Sequence, residues 1–387
     1  MQTIDIDSKA TIAALVLLSA ISPAILLLAP AIVGALVTGS GLTPQAAGLV
    51  ISAELGAMAL VTFSTLWWMR FWNWRTAIRS CLVLMVLGNI ASSQSVDSGT
   101  MLAFWRFVSG LGSGSVIILC MVTIGQTRQR ERNYGWWVVG QLVLGAIGLK
   151  VLPGLLPHYG LESVYLFLAL ASAAMLPLAS LLPIAGTGDR PQGNRRAYWL
   201  VSVAGLAAVV LFYVSLGGVW AYVERIADQA GMAPQSIGDA LTIATLFGIA
   251  GSLAATWIGG RWGCLAPLVL GYAMLAGSIV LLQAPLSGST YLVATSVFKF
   301  AWTFALPFLL ASIAAHDASG RLVVLANFMI GAGLSIGPAA AGATLVAAPD
   351  YSGVLTLGIV GSLVSLGFAL TLVLGMRRHA VAVVGSA

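Results

Sequence analysis

Charged residues are scarce in this chain of 387 residues: they make up 8% of it, while hydrophobic residues make up 59%. A soluble globular domain carries about 25% charged residues, so this chain has too little polar surface to cover a core in water. A bilayer-spanning helix needs roughly 20 mostly apolar residues, and the chain contains repeated runs of that length. Backbone groups in hydrocarbon must bond within their own segment, so these continuous runs predict membrane helices and not β-strands.

Cysteine and histidine are also scarce, with three of each. The cysteines Cys81, Cys120 and Cys264 fall in three different apolar runs, which argues against a loop disulfide and against a clustered metal site. The histidines lie far apart in predicted loops and in the tail, so neither metal ligation nor a catalytic relay is supported. We therefore expect no metal site and no catalytic residues.

A phosphate-binding loop of the form GxxxxGK[ST] is absent as well, which argues against ATP-driven pumping and leaves no cofactor to expect. The net charge of +6 comes from basic residues scattered among short loops. Such scatter does not form the single basic stripe that binds nucleic acid, so nucleic acid is not an expected partner. The first apolar run is about 28 residues long, well beyond the core of a signal peptide, and is expected to remain as the first helix.

The apolar runs and their polar punctuation predict twelve membrane helices in two sets of six. The first set covers residues about 10–37, 45–69, 77–96, 100–127, 134–156 and 162–184. The second set covers residues about 198–224, 236–258, 264–283, 289–314, 321–346 and 351–376. The intervening polar stretch predicts three parts: an N-terminal six-helix bundle at 1–185, a cytoplasmic linker at 186–197, and a C-terminal six-helix bundle with a short cytoplasmic tail at 198–387.

The distribution of basic residues tests this helix count. With the N-terminus inside, most of the 18 Lys and Arg residues fall on the cytoplasmic side, as the positive-inside rule requires. Adding or dropping one helix would scramble the pattern. The sequence therefore predicts a multi-pass protein of the plasma membrane, or of the inner membrane in a bacterium, with both termini cytoplasmic.

Two short motifs carry a resemblance to a known family. The predicted fourth helix reads Arg106-Phe-Val-Ser-Gly110-Leu-Gly112-Ser-Gly114, and the loop after the eighth helix reads Gly260-Arg261-Trp262-Gly263. Both resemble signatures of the major facilitator superfamily, although the acidic residue usual before the loop arginine is replaced by Gly260. The resemblance implies an all-α membrane fold of two pseudo-symmetric six-helix bundles, with substrate bound near the bilayer midplane and moved by alternating access.

Glu54 lies near the middle of the predicted second helix, where a carboxylate is costly and needs a partner. It is either a proton carrier or half of a static buried ion pair. A glutamate close to Arg106 could release and accept a proton as the cavity opens to either side. Both interpretations stay open at this stage.

Arg106 and Lys299 lie at similar depth in the predicted fourth and tenth helices, which in this superfamily line the cavity from opposite halves. Together they could clamp an anion, with Lys150 as a third cation and with Trp302 and Tyr213 as further substrate contacts. The alternative for the two lysines is that their long stems snorkel toward the membrane surface. The positive balance of the intramembrane charges favours an organic anion as substrate.

Glu224 and Arg225 end the predicted seventh helix after a stretch of glycines and aromatic residues. Such a stretch could form an extracellular gate, with Arg261 of the motif loop as a gate residue on the cytoplasmic side. The alternative is an ordinary surface pair at a solvated helix end.

These features predict a proton-linked secondary transporter, acting by symport or antiport, of a small organic solute that is an organic anion. The alternative within transport is proton-driven export of amphipathic drugs or metabolites. A non-transporting membrane sensor is a weaker alternative, because no loop is long enough for a soluble output domain. The expected partners are the small-molecule solute, a proton or another coupling ion, and the lipid bilayer.

Overall fold

The computed structural model describes residues 6–69, 71–128, 130–182, 199–258, 263–283, 285–314, 321–347 and 349–384. Over these residues the chain folds into α-helices and one short 3-10 helix, with no β-strand. Within these described ranges, ten helices are long and apolar enough to cross a membrane. The predicted all-α membrane fold is therefore confirmed.

The described residues of the first half form seven α-helices and the 3-10 helix. They are α1 Lys9–Ile21, α2 Ala24–Leu27, α3 Ala29–Thr38, α4 Pro44–Trp68, α5 Trp74–Ser93, α6 Gly99–Gly125 and α7 Arg130–Ala174, followed by the 3-10 helix Leu176–Leu181. The second half holds α8 Trp199–Gln229, α9 Pro234–Ile258, α10 Leu265–Gln283, α11 Gly288–Ala314, α12 Arg321–Ala347 and α13 Ser352–Val384.

The predicted first helix is broken into the three pieces α1, α2 and α3. Pro23 and Leu28 have ψ angles of 19° and 6°, outside the helical region, and they separate the pieces. Pro30 is the second residue of the third piece, in the first turn of a helix, where the missing N–H of proline is tolerated. In a continuous helix the carbonyl oxygen of Leu26 would accept a hydrogen bond from the N–H of residue 30. Proline has no N–H, so this carbonyl can accept from another donor.

The predicted fifth and sixth helices are joined in α7, which changes direction at one residue. Gly160 has φ 67° and ψ 174°, a backbone conformation open essentially to glycine alone. The apolar segment Asn133–Leu181 around it has 49 residues, against the roughly 20 that one crossing needs. The break at Gly160 thus lies where the sequence separates two helices, while the total of twelve helices stays a prediction.

The chain divides into two compact units, and the units do not coincide with the two halves of the sequence. Unit 1 holds residues Met1–Asp189 and Trp220–Thr242, and unit 2 holds Arg190–Val219 and Ile243–Ala387. The C-terminal part of α8 and the start of α9 thus group with the first half of the chain. The bundle boundaries at 185 and 198 remain a prediction, and the linker at 186–197 lies outside the described residues.

Glycines on α6 allow its neighbours in unit 1 to approach closely. A Cβ atom at Gly110 would lie 2.5 Å from the carbonyl oxygen of Glu54 on α4, and one at Gly112 would lie 2.5 Å from that of Cys81 on α5. Side chains would collide at both places, so only glycine permits this spacing. The glycines of the motif thus bring α4 and α5 against the helix that carries Arg106.

Candidate functional site

Glu54 and Arg106 form a buried ion pair between α4 and α6 in unit 1. Arg106 Nε donates to Glu54 Oε2 and Arg106 Nη2 donates to Glu54 Oε1, both at 2.9 Å. Both side chains are 2% exposed. This two-pronged geometry is the strongest arrangement available to an arginine and a carboxylate.

Three neutral acceptors surround the rest of the guanidinium. Arg106 Nη1 donates to Asn89 Oδ1 at 2.7 Å and to Ser92 Oγ at 3.4 Å, and Nη2 donates to Ser109 Oγ at 3.2 Å. The guanidinium carbon also lies 4.9 Å from the centre of the Tyr165 ring. All three nitrogens of Arg106 therefore have partners, so an incoming anion would have to compete with Glu54.

A small cavity of about 10 Å³ adjoins this pair. Its wall includes Glu54 and Arg106 together with Ile21, Ser22 and Ala24 from the break between α1 and α2. A cavity of this size holds at most about one water molecule. The break in the first helix therefore faces the one carboxylate that the sequence marks as a proton carrier.

Lys299 lies on α11 in unit 2, where it is buried with 6% of its surface exposed. Its ammonium nitrogen is 4.2 Å from the centre of the Trp302 ring, which is cation–π distance. Tyr213 on α8 meets the same indole edge to face, with ring centres 6.2 Å apart. The structure thus brings together three of the residues that the sequence assigned to substrate binding.

The helix that carries Lys299 is fixed by a close contact with α9. Thr303 Oγ1 donates to the carbonyl oxygen of Gly248 at 2.6 Å, and a Cβ atom at Gly251 would collide with the carbonyl oxygen of Phe300. This glycine-mediated approach holds α11 against α9 one turn from Lys299. The ammonium group is therefore carried on a helix that is closely packed against α9.

Glu224 and Arg225 line a second cavity in unit 1, of about 470 Å³, which we call the acidic cavity. The carboxylates of Asp97, Glu162 and Asp228 also line it. Arg225 Nη1 donates to Asp228 Oδ2 at 2.6 Å. The two predicted gate residues thus face a shared, mainly negative cavity.

The C-terminal part of α8 is tied to the first helices of unit 1 by two aromatic side chains. Trp220 Nε1 donates to the carbonyl oxygen of Leu26 at 3.1 Å, which is the carbonyl that has no donor four residues on because residue 30 is proline. Tyr222 Oη donates to the carbonyl oxygen of Pro44 at 2.6 Å. Both side chains are fully buried, and their two bonds attach α8 to α2 and to the first residue of α4.

Lys150 forms an ion pair with Asp239, since the Nζ to Oδ1 distance is 2.6 Å. The two side chains are 53% and 42% exposed, and Asp239 Oδ1 also accepts from Gln235 Nε2. The structure thus gives Lys150 a carboxylate partner that the sequence analysis did not assign. Arg261, the remaining predicted gate residue, lies outside the described residues.

Sequence reasoning missed the residues that complete the Arg106 site, namely Asn89, Ser92, Ser109 and Tyr165. The available signal was an asparagine in the middle of an apolar run, because a polar residue inside a membrane helix needs a partner. No sequence feature singled out Trp220 as the donor to Leu26, because this bond depends on which carbonyl the proline leaves free.

Long apolar helices that enclose a charged pair define a multi-pass membrane protein. The chain belongs to the Major Facilitator Superfamily, because the family model matches residues 11–338, well over half of the sequence. Members of this superfamily are membrane transporters. The predicted family and the predicted class of membrane transporter are therefore confirmed. No curated protein matches the sequence.

The fold is similar to that of several solved structures. A bacterial homolog of the human lysosomal transporter Spinster, inward-facing and unoccupied, has a TM-score of 0.71 at 12% identity, over 97% of this chain and 98% of that one. The nucleoside transporter NupG has a TM-score of 0.71 at 12% identity, over 95% and 98%. The D-xylose-proton symporter has a TM-score of 0.69 at 14% identity, over 93% and 97%. At these identities the likeness concerns the fold.

Proposed function

We propose that this chain is a proton-linked secondary transporter of a small organic anion, with Glu54 as the proton carrier. The observation that carries the proposal is the buried pair of Glu54 and Arg106, whose bonds are 2.9 Å long. A carboxylate inside a membrane protein marks a proton or ion pathway unless it is purely structural. The similarity in fold to a D-xylose-proton symporter supports the proposal of proton coupling.

The pair can change its charge without a large movement. Protonation of Glu54 would remove the negative partner of Arg106, while the neutral acceptors around the guanidinium remain. The adjoining cavity of about 10 Å³ leaves room for one water molecule beside the carboxylate. A proton can thus be exchanged locally when the site opens to either side.

Lys299 is the residue that we propose to bind the anion. It is a buried cation whose ammonium lies against Trp302, and Tyr213 meets the same indole edge to face. A carboxylate ligand would form a charge-assisted hydrogen bond there, and the aromatic rings would pack against its apolar part. Arg106 and Lys150 remain proposed contacts, although a ligand would have to compete with Glu54 at the first and with Asp239 at the second.

The acidic cavity supports the proposed gate role of Glu224. A Cβ atom at Gly34 on α3 would collide with the Glu224 carboxylate, so α8 and α3 approach closely where the carboxylate lies. Arg225 is held beside it by Asp228. We propose that separation of α8 from α3 opens the extracellular gate. We propose that Arg261 acts as a gate residue on the cytoplasmic side. The predicted orientation, with both termini cytoplasmic in the plasma membrane, belongs to this proposal.

Export of amphipathic drugs or metabolites is the second candidate function. The aromatic cluster of Phe298, Trp302, Tyr213 and Phe212 in unit 2 favours it, because neighbouring ring centres lie between 5.6 and 6.3 Å apart. Such a wall would bind flat apolar molecules. Lys299 within the same cluster favours a ligand that also carries a negative charge.

Uptake by purified protein in proteoliposomes tests the proposal. A panel of labelled acetate, lactate, succinate, citrate and benzoate is offered with and without an imposed pH gradient. We expect at least one acid to accumulate only with the gradient, and Glu54→Gln to abolish this dependence. Asp239→Asn is the matched control, because it neutralises a carboxylate in an exposed ion pair and should keep the dependence.

Two results would contradict the proposal. If no acid moves while amphipathic organic cations are transported, the export alternative is correct. If an acid moves but Glu54→Gln retains the full response to the pH gradient, Glu54 belongs to a static pair and the coupling group lies elsewhere.

A further inference from the structure

Asn89 on α5 is a buried amide in direct contact with the coupling pair. Its Oδ1 accepts from Arg106 Nη1 at 2.7 Å, which is shorter than either bond between Arg106 and Glu54. Its Nδ2 donates to the carbonyl oxygen of Met85 at 2.8 Å. Rotation of the amide would turn its NH₂ group toward the guanidinium and its oxygen toward a carbonyl, so the observed orientation is the only satisfied one.

The backbone fixes Asn89 against α6. Its neighbour Gly88 packs on Ser109, where a Cβ atom would lie 2.9 Å from the Ser109 Cβ. Gly112 makes a similar approach to Cys81 one turn along α6. These two glycine contacts hold α5 close to α6, which places the amide oxygen within hydrogen-bond distance of the guanidinium.

The charged and titratable groups around Glu54 in the described part of unit 1 are few. Arg106 faces it from α6, and Tyr165 on α7 interacts with both members of the pair. The break between α1 and α2 contributes the hydroxyl of Ser22, and α5 contributes Asn89 and Ser92. When Glu54 is neutral, Arg106 therefore depends on neutral acceptors, and Asn89 Oδ1 is the nearest of them.

We propose that Asn89 is the positioning residue of the proton step, which holds the Arg106 guanidinium charged and in place while Glu54 carries the proton. This inference rests on the proposed function. A buried guanidinium without its carboxylate needs hydrogen-bond acceptors, and the bond from Asn89 stabilises the protonated state most. Arg106 then stays fixed, and only the proton and the Glu54 side chain move.

The pH profile of acid uptake in Asn89 variants tests this role, with the acid from the panel that the native protein transports. In Asn89→Leu the protonated state loses its main acceptor, so half-maximal uptake should require about ten times more protons, one pH unit lower. In Asn89→Asp a second carboxylate neutralises Arg106 and repels ionised Glu54, so the profile should move about one unit to higher pH. The shift of the profile along the pH axis, and not the maximum rate, is the expected signature of both variants.

Ser93→Ala is the matched control on the same helix. Ser93 is buried and donates only to the carbonyl oxygen of Ile90, at 2.7 Å, so its replacement should leave the profile unchanged. A purely structural role of Asn89 would lower the maximum rate of both variants without moving the profile, and that result would overturn the inference. If Asn89→Leu does not fold, Asn89→Asp alone tests the inference. An Asn89→Asp profile that stays in place or moves to lower pH would then overturn the inference.

The failure of this inference can be distinguished from the failure of the proposed function. If Glu54→Gln abolishes the pH response while both Asn89 variants keep the native profile, the coupling role of Glu54 stands and the role of Asn89 is wrong. If Glu54→Gln keeps the pH response, the proposed function itself fails, whatever the Asn89 variants do.

Discussion

The two units each bury a cation in a membrane helix, but they stabilise it in different ways. In unit 1, Arg106 is held by a carboxylate and by three neutral acceptors. In unit 2, Lys299 lies with its ammonium against the face of an indole. Since a cation in hydrocarbon costs roughly 2.5–3.5 kcal/mol on insertion scales, each arrangement must offset a similar cost.

The different surroundings of Arg106 and Lys299 suggest different roles for the two cations. A cation matched by a carboxylate is neutralised as a pair, and its state changes when the carboxylate takes up a proton. The ammonium group of Lys299 contacts an aromatic face, where we propose that an incoming anion forms a charge-assisted hydrogen bond with it. We therefore propose that proton coupling lies in unit 1 and that the main ligand contact, Lys299, lies in unit 2, and the following changes test that proposal.

The largest effect is expected from removal of one member of the buried pair. Arg106→Leu leaves Glu54 without its cation and should lower the free energy of unfolding by about 3–5 kcal/mol. The double change Glu54→Leu with Arg106→Leu removes both charges and should recover most of that loss. Denaturant unfolding of the purified proteins in detergent measures the difference. Equal losses in the single and double variants would show that the pair is not the source of stability.

A smaller effect is expected from Trp220→Phe, which removes the donor to the Leu26 carbonyl. A buried carbonyl left without its partner costs about 1–3 kcal/mol, measured by the same unfolding experiment. Tyr272→Phe in unit 2 is the matched comparison. It removes a 2.7 Å bond to Ser365, but the Ser365 hydroxyl still donates to the carbonyl of Ala208. A loss as large in Tyr272→Phe as in Trp220→Phe would contradict this reasoning.

Lys299→Met should weaken ligand binding while sparing the fold. Loss of one charge-assisted hydrogen bond should raise the KM for the transported acid by about tenfold. Lys299→Arg keeps the charge and should retain most of the affinity. Initial uptake rates at increasing acid concentration measure the change. An unchanged KM in Lys299→Met would remove Lys299 from the ligand site.

The smallest effect is expected at the exposed pair of Lys150 and Asp239. Exposed ion pairs are screened by water and salt, and many contribute nothing measurable to stability. Lys150→Met and Asp239→Asn should both unfold within experimental error of the native protein. A large destabilisation in either variant would mean that this pair is shielded from solvent in the membrane.

Much of the fold could be predicted from the sequence because hydrocarbon imposes a simple rule on length and polarity. The family, the helical class and most helix positions follow from apolar runs and from the motif around Arg106. The breaks in the first helix were only partly predictable. Pro23 and Pro30 indicate kinks, but the division into α1, α2 and α3 also depends on Leu28, which carries no such signal.

The candidate site was predictable where a charge is isolated in an apolar run, as for Glu54, Arg106 and Lys299. The hydrogen-bond and ion-pair partners of these charges were harder to predict from the sequence, because they depend on how the helices are rotated about their axes. Asp239 is an example, since it is remote from Lys150 in sequence and meets it only through the packing of α7 and α9. The acceptors of Arg106 on α5 were missed for the same reason.

The glycine contact beneath the ion pair has a consequence for sequence variation. Any side chain at Gly110 would push α4 away from α6 and pull the Glu54 carboxylate from its partner. Gly277 and Gly367 have nothing within 4 Å of the position of an added Cβ. Saturation mutagenesis with selection for transport should therefore tolerate alanine or serine at Gly277 and Gly367 and accept no replacement at Gly110, even though none of these residues carries a functional group.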